Sequence, residues 1–281
     1  MEVSNHAGVD ATTIHWHGIN QMGTPYMDGV PFVTQCPILP FNSFTYSFTV
    51  PDAGTYFYHS HMGFQRTDGT DGLLIVRQPV EDDPNKLQYD FDFTEHQIMI
   101  TDWINKTGEE MFYEFYHTDE SYVPYLTTIL VNGRGRLPPY QLTPSSNKTQ
   151  FHIPYSSFTV RKGFRYRFRI CSNANWICPV EVSVDKHELV VVGTDGDSVQ
   201  PVTVNSFVIN PGERFDFVIK ANQAVETYWM TFRGLLLCET GGAFGRAILK
   251  YETARDVEPP EVSETNSTKV VITFVDFFII Y

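Results

Sequence analysis

The chain has 281 residues, enough for two domains, and 42% of them are hydrophobic, enough to build cores. A formal charge of -13 and a pI near 5.0, with no basic stripe, exclude a nucleic-acid binder. Aromatic residues make up 15% and apolar runs are short and broken by Pro, Gly and Asn, which predicts an all-β chain.

Residues 1–6 read as the inside of a strand. Residues 11–17 follow as a β-prone run ending in His15-Trp16-His17. Strict alternation in Phe44-Thr45-Tyr46-Ser47-Phe48-Thr49-Val50 predicts a strand. Another strand, Gly54-Thr55-Tyr56-Phe57-Tyr58, leads into His59-Ser60-His61. A first domain is expected over 1–79 and a connector over 80–95, opened by the Pro- and Asp-rich stretch 79–85. Asp90, Asp92 and Glu95 are expected to belong to this solvated connector. A second domain is expected over 96–252. It includes the alternating strand 164–170, whose Arg165, Arg167 and Arg169, with Arg161, read as one solvated face. Residues 253–281 form an atypical tail. Its apolar end, 269–281, is interrupted by Asp276 and far short of the roughly 20 residues that span a bilayer, so no membrane partner is expected. That end is β-prone and an aggregation hazard if unpaired.

The two His-X-His pairs carry the chemistry. Alternate side chains of a strand share a face, so each pair aims two imidazoles the same way from Cα atoms about 6.5–7 Å apart. Two such strands side by side would bring four nitrogen ligands to one cavity. That donor set suits copper, zinc, iron or nickel, whereas calcium and magnesium prefer oxygen. One His-X-His alone is ordinarily two surface or hydrogen-bonded histidines; four of the nine histidines in this pattern is a different matter. No His-Glu-X-X-His is present, and Gly18-Ile19-Asn20 follows His17, so zinc hydrolase patterns fit poorly. His96, His117, His152 and His187 are isolated and read as satisfied core or surface residues, and His6 as an edge residue. Asn105, Asn147 and Asn266 stand in Asn-X-Ser/Thr sequons, which favours an extracellular protein. Of the four cysteines, Cys171 and Cys178 are close enough in sequence to close a local loop.

The stretch Thr12-Thr13-Ile14-His15-Trp16-His17-Gly18 resembles the first cupredoxin domain of multicopper oxidases. So do Gly23-Thr24-Pro25-Tyr26-Met27-Asp28-Gly29-Val30-Pro31, Thr34-Gln35-Cys36-Pro37-Ile38 and Ala53-Gly54-Thr55-Tyr56-Phe57-Tyr58-His59-Ser60-His61. Among these oxidases the likeness is to laccases of the insect type. Thr101-Asp102-Trp103, residues 130–136, Tyr166-Arg167-Phe168-Arg169, Thr194-Asp195-Gly196 and residues 211–217 are similar to the family's second domain, so the likeness extends to about Glu252.

The resemblance implies two cupredoxin-like Greek-key β-sandwich or barrel domains. It implies copper as cofactor, His15 being similar to the type 2 ligand and His17, His59 and His61 to ligands of the type 3 pair. It implies dioxygen and a small phenol or catechol as reactants: one-electron oxidations of a diphenol coupled to four-electron reduction of dioxygen to water. Asp28 matches an acid assisting proton delivery, with a turn-forming Asp before Gly29 as the equal alternative. Trp16 and Tyr58 are expected to pack behind the ligands. The family's His-Pro-X-His-Leu-His-Gly and His-Cys-His motifs do not occur, and Ser60 stands where a thiolate would be needed, so type 1 ligands are absent from the sequence. The chain is therefore expected to be a fragment holding half of the cluster ligands and inactive alone, from a truncated or mis-spliced product, the alternative being that its apolar end is a real strand whose partner lies in a missing domain. By resemblance Cys36 and Cys238 pair with cysteines outside it, a direct Cys36–Cys238 bridge being the alternative. A monomer is expected. The other readings are a metal oxidase acting on Fe(II) and a non-catalytic copper-binding protein.

Overall fold

Strand-forming sequence gives strands almost throughout. The computed structural model describes residues 1–117, 128–136, 153–175, 178–240 and 242–260, and the backbone of Val271–Ile272. His152, Asn147, Asn266 and the rest of the tail beyond 260 lie outside the described residues. The chain divides into two compact units.

The first unit comprises Met1–Arg77 and the segment from Lys106 that carries a helix, α1 (Gly108–His117). Its strands are β1 (Glu2–Ser4), β2 (Ile14–His17), β3 (Ser43–Thr45), β4 (Gly54–Ser60) and β5 (Asp71–Val76). They form a two-stranded ladder, β1-β3, and a three-stranded antiparallel sheet, β2-β4-β5. Alternation sorts the side chains of β2: Ile14 and Trp16 enter a core with Ile19, Ile38, Tyr46 and Tyr56, and His15 and His17 take the other face. Trp16 packs against Tyr58 with ring centroids 5.7 Å apart. α1 is held by Asp68, whose carboxylate accepts the Gly108 N–H at 2.8 Å, and by Phe64, whose ring lies tilted against Phe112 with centroids 5.3 Å apart. The stretch 106–117, expected inside a continuous second domain, thus belongs to the first unit.

The second unit holds β6 (Gln97–Trp103), β7 (Thr128–Val131), β8 (Ser157–Val160), β9 (Arg165–Ser172), β10 (Val180–Val184), β11 (Leu189–Thr194), β12 (Asp197–Val204), β13 (Ser206–Ile209), β14 (Arg214–Lys220), β15 (Thr227–Gly234), β16 (Phe244–Tyr251) and β17 (Val271–Ile272). Two six-stranded sheets, β17-β13-β10-β15-β16-β8 and β12-β11-β14-β9-β6-β7, enclose one core that includes Phe158, Phe168, Phe207, Phe215, Phe217 and Phe232. This is a β-sandwich, in which each strand sends alternate residues inward. Within the tail, β17 adds in parallel to β13.

Two expectations fail here. The arginines of β9 do leave the core face, on which Tyr166, Phe168 and Ile170 lie, but Arg167 and Arg169 are buried rather than solvated. Residues 83–92 cover them. Arg167 bonds Asp83 at 2.6 Å and also Asp216, while Arg169 bonds Asp92 at 2.6 Å and Asp216 at 2.9 Å. Asp83 in turn accepts the Tyr89 hydroxyl at 2.7 Å, and Asp90 pairs with the half-exposed Arg165. The acidic connector residues Asp90 and Asp92 are thus partners of β9 and pack with the second unit. A local pattern could not show this, because the covering segment lies 75 to 84 residues away in sequence. The second failure concerns the cysteines: Cys178 is bridged to Cys238, 60 residues on, with Cα atoms 5.9 Å apart, so neither the local Cys171–Cys178 loop nor the pairing of Cys238 with Cys36 or with a cysteine outside the chain holds, and Cys171 is buried in β9. Cys36 is exposed and outside that bridge.

Candidate metal centre

The antiparallel register of β2 and β4 sets His15 directly opposite His59 and His17 opposite Phe57. Residues facing each other on neighbouring strands have Cβ atoms about 4.5–5.5 Å apart, within reach of paired imidazoles. The His15 ring lies 5.6 Å from that of His17, 5.4 Å from His59 and 5.6 Å from His61, centroid to centroid. One ligand nitrogen each from His15, His17 and His59 fall within 4.8 Å of one another. His61 stands one residue beyond the end of β4, exposed, with its ring 6.0 Å from that of His59.

Hydrogen bonds fix which nitrogen faces inward. His15 Nδ1 donates to the Asp28 carbonyl at 2.8 Å, with the Asp28 carboxylate 3.3 Å away, which leaves Nε2 as its free lone pair. His59 Nδ1 donates to the Ser60 carbonyl at 2.8 Å and likewise frees Nε2. His17 stacks on the fully buried Phe57 at 4.3 Å and turns Nδ1 toward His59 Nε2, 3.4 Å away. His59 is 4% exposed, and burial lowers its pKa to about 4, so its ring is neutral at pH 7. Oriented imidazole nitrogens with no thiolate among them fit a borderline cation such as copper.

The contact to Asp28 depends on a turn. Pro25–Met27 forms a short 3-10 helix closed by Asp28, and Gly29 follows with φ +82°. A Cβ at Gly29 would overlap the Ile14 carbonyl, so this turn approaches β2 as closely as backbone allows. Gly29→Ala is expected to lower stability by more than the roughly 1–2 kcal/mol of its left-handed conformation alone, because the methyl must also displace β2. Calorimetry checks this. An unchanged Tm would mean that the turn relaxes freely.

Two of the isolated histidines are core residues of the second unit. His96 is buried with Nε2 on the Thr159 carbonyl at 2.9 Å, and His187 is buried with Nε2 on the Tyr251 hydroxyl at 2.8 Å. The expectation from sequence covers Tyr58 behind the second pair but neither the Phe57 platform nor the Asp28 carbonyl. The period-two pattern carries a signal for Phe57 alone, two residues before His59.

A β-built chain with such a histidine cluster matches the multicopper oxidase family over residues 1–81 and again over 94–254, and the chain belongs to that family. Within it the chain is similar to laccases. It is 37% identical to Laccase-5 of Trametes villosa over 98% of its length and 36% identical to Laccase-2 of Pleurotus ostreatus over 95%. The chain spans about half the length of these curated relatives, 48% and 46%. A crystal structure of the laccase from Botrytis aclada superposes with a TM-score of 0.77 at 31% identity, over 94% of this chain and 47% of that one. The all-β, cupredoxin-like fold therefore stands, while the insect-type detail receives no support from these relatives. Fet3p, described as a multicopper oxidase that functions in iron import, superposes at 0.78 over 99% of this chain and 49% of that one; at 22% identity that likeness is one of fold.

Proposed function

We infer that His15, His17, His59 and His61 are copper ligands and that this chain supplies part of a laccase-like oxidase. The convergence of three imidazole nitrogens within 4.8 Å carries the reading. In the roles the family resemblance suggests, His15 serves a type 2 copper and His17, His59 and His61 a type 3 pair. Copper bound there supplies the redox chemistry that couples one-electron oxidations of a diphenol to the four-electron reduction of dioxygen to water.

The chain's own residues set the conditions for this. Nδ1 bonds to the Asp28 and Ser60 carbonyls hold two rings in the coordinating tautomer, and the Phe57 face holds the His17 plane. Asp28 has a partly exposed carboxylate 3.3 Å from His15 Nδ1, a position from which it can pass a proton between solvent and the site. An extracellular setting is supported by the Cys178–Cys238 bridge and by an exposed sequon at Asn105. Among the described residues, no helix is long and apolar enough to cross a membrane.

The test is a Cu(II) titration of the chain followed by electron paramagnetic and optical spectra. The expected product is a nitrogen-ligated copper centre without an intense blue thiolate band, and without diphenol-dependent oxygen uptake by this chain. No copper uptake would refute the ligand assignment. A blue band with turnover would refute the view that type 1 ligands lie elsewhere.

A further inference from the structure

The strand ladder holds three of the four histidines and stops short of the fourth. His15 and His17 lie in β2, and His59 lies in β4 opposite His15. His61 lies past the last paired residue of β4, where its backbone N–H donates to the Thr13 carbonyl at 3.2 Å. Something other than the ladder must set where its ring points.

The half-buried amide of Gln65 is placed to do so. Its Oε1 accepts two hydroxyls, from Thr12 and from Ser60, each at 2.7 Å. Its Nε2 donates to the Ala11 carbonyl at 2.9 Å. One side chain therefore ties the residues entering β2 to the residue between His59 and His61. Ser60 is 2% exposed and, by strand alternation, points away from the imidazoles, so the tie grips the second pair from behind. The Ser60 hydroxyl also accepts the Met62 N–H at 3.2 Å, which starts the turn. Gln65 closes that turn with its own N–H on the Met62 carbonyl at 3.2 Å, and its carbonyl accepts the Thr70 N–H at 2.9 Å. Both sides of His61 are thereby fixed by one residue, four positions downstream.

We propose that Gln65 is the positioning residue for His61, coupling the entry of β2 to the second histidine pair so that the fourth imidazole joins the other three. This rests on the copper-ligand reading of the four histidines. Gln65 touches no ligand nitrogen and acts only through Ser60, Thr12 and the turn. A partner that orients a ligand is worth about 10–100-fold in metal affinity.

The experiment compares the whole chain with Gln65→Met, Gln65→Glu and His61→Ala, and with the double variant Gln65→Met/His61→Ala. Cu(II) affinity is read by competition with a chelator, and exchange of the His61 amide is read on the metal-free protein. Gln65→Met keeps the length of the side chain and removes its hydrogen bonds. It should weaken Cu(II) binding about 10-fold or more and speed His61 amide exchange. Gln65→Glu still accepts both hydroxyls and should recover most of the affinity. In the His61→Ala background Gln65→Met should change the affinity no further, a coupling that mere loss of stability would not produce. Normal affinity and exchange in Gln65→Met would overturn the assignment, as would an additive double variant. Absence of copper binding by the unaltered chain would instead overturn the ligand reading on which it rests.

Discussion

His59→Ala is expected to lower the affinity of the chain for Cu(II) by more than about 100-fold, beyond the 10–100-fold that loss of an orienting partner costs. The reason is position. His59 alone of the four is buried, it faces His15 across the ladder, and its Nε2 is 3.4 Å from His17 Nδ1. Removing it deletes a ligand and also the neighbour that closes the cluster from the β4 side. His187→Ala serves as control, since it removes another buried histidine, one bonded to Tyr251 in the second unit. That variant should lose stability and keep copper. Competition titration of both variants separates the outcomes: equal copper affinity in His59→Ala and the unaltered chain would mean that the imidazole cluster is not a metal site.

The site was legible in the sequence because a strand has period two and histidine has few reasons to repeat at that spacing. His15, His17, His59 and His61 could be named, and alternation alone predicts Trp16 behind them. The register was not legible. Nothing in either segment states that His15 faces His59 and that His17 faces Phe57, because register follows from pairing between segments distant in sequence. Gln65 was invisible for a related reason: it is one polar residue in a turn, and its meaning comes from Thr12 and Ser60, which the fold brings to it. The cysteines show the limit of short-range reasoning most plainly. Cys171 and Cys178 are neighbours in sequence, yet the bridge joins Cys178 to Cys238.

Charge placement on β9 leads to the second large effect. Arg165 and Arg167 are two residues apart on one face and differ only in what covers them. Arg165 pairs with Asp90 where both side chains are more than a third exposed, and solvent screens such a pair to about 0.2–1 kcal/mol. Asp216 sits between Arg167 and Arg169 with all three side chains no more than 7% exposed. Removing the member of a buried ionic network that two guanidinium groups share strips both of charge-assisted hydrogen bonds that no water replaces, at a cost of about 3–5 kcal/mol. Asp216→Leu should therefore destabilise the second unit by that amount, and Asp90→Leu by no more than about 1 kcal/mol. Denaturant unfolding of the two variants measures the contrast. Arg167 would then pair with Asp83 and Arg169 with Asp92, both supplied by segment 83–92, so that segment should become protease-sensitive in Asp216→Leu before the sandwich does. Equal stability in the two variants would show that water reaches the buried guanidinium groups, and the face would then be solvated after all, as its sequence pattern suggests.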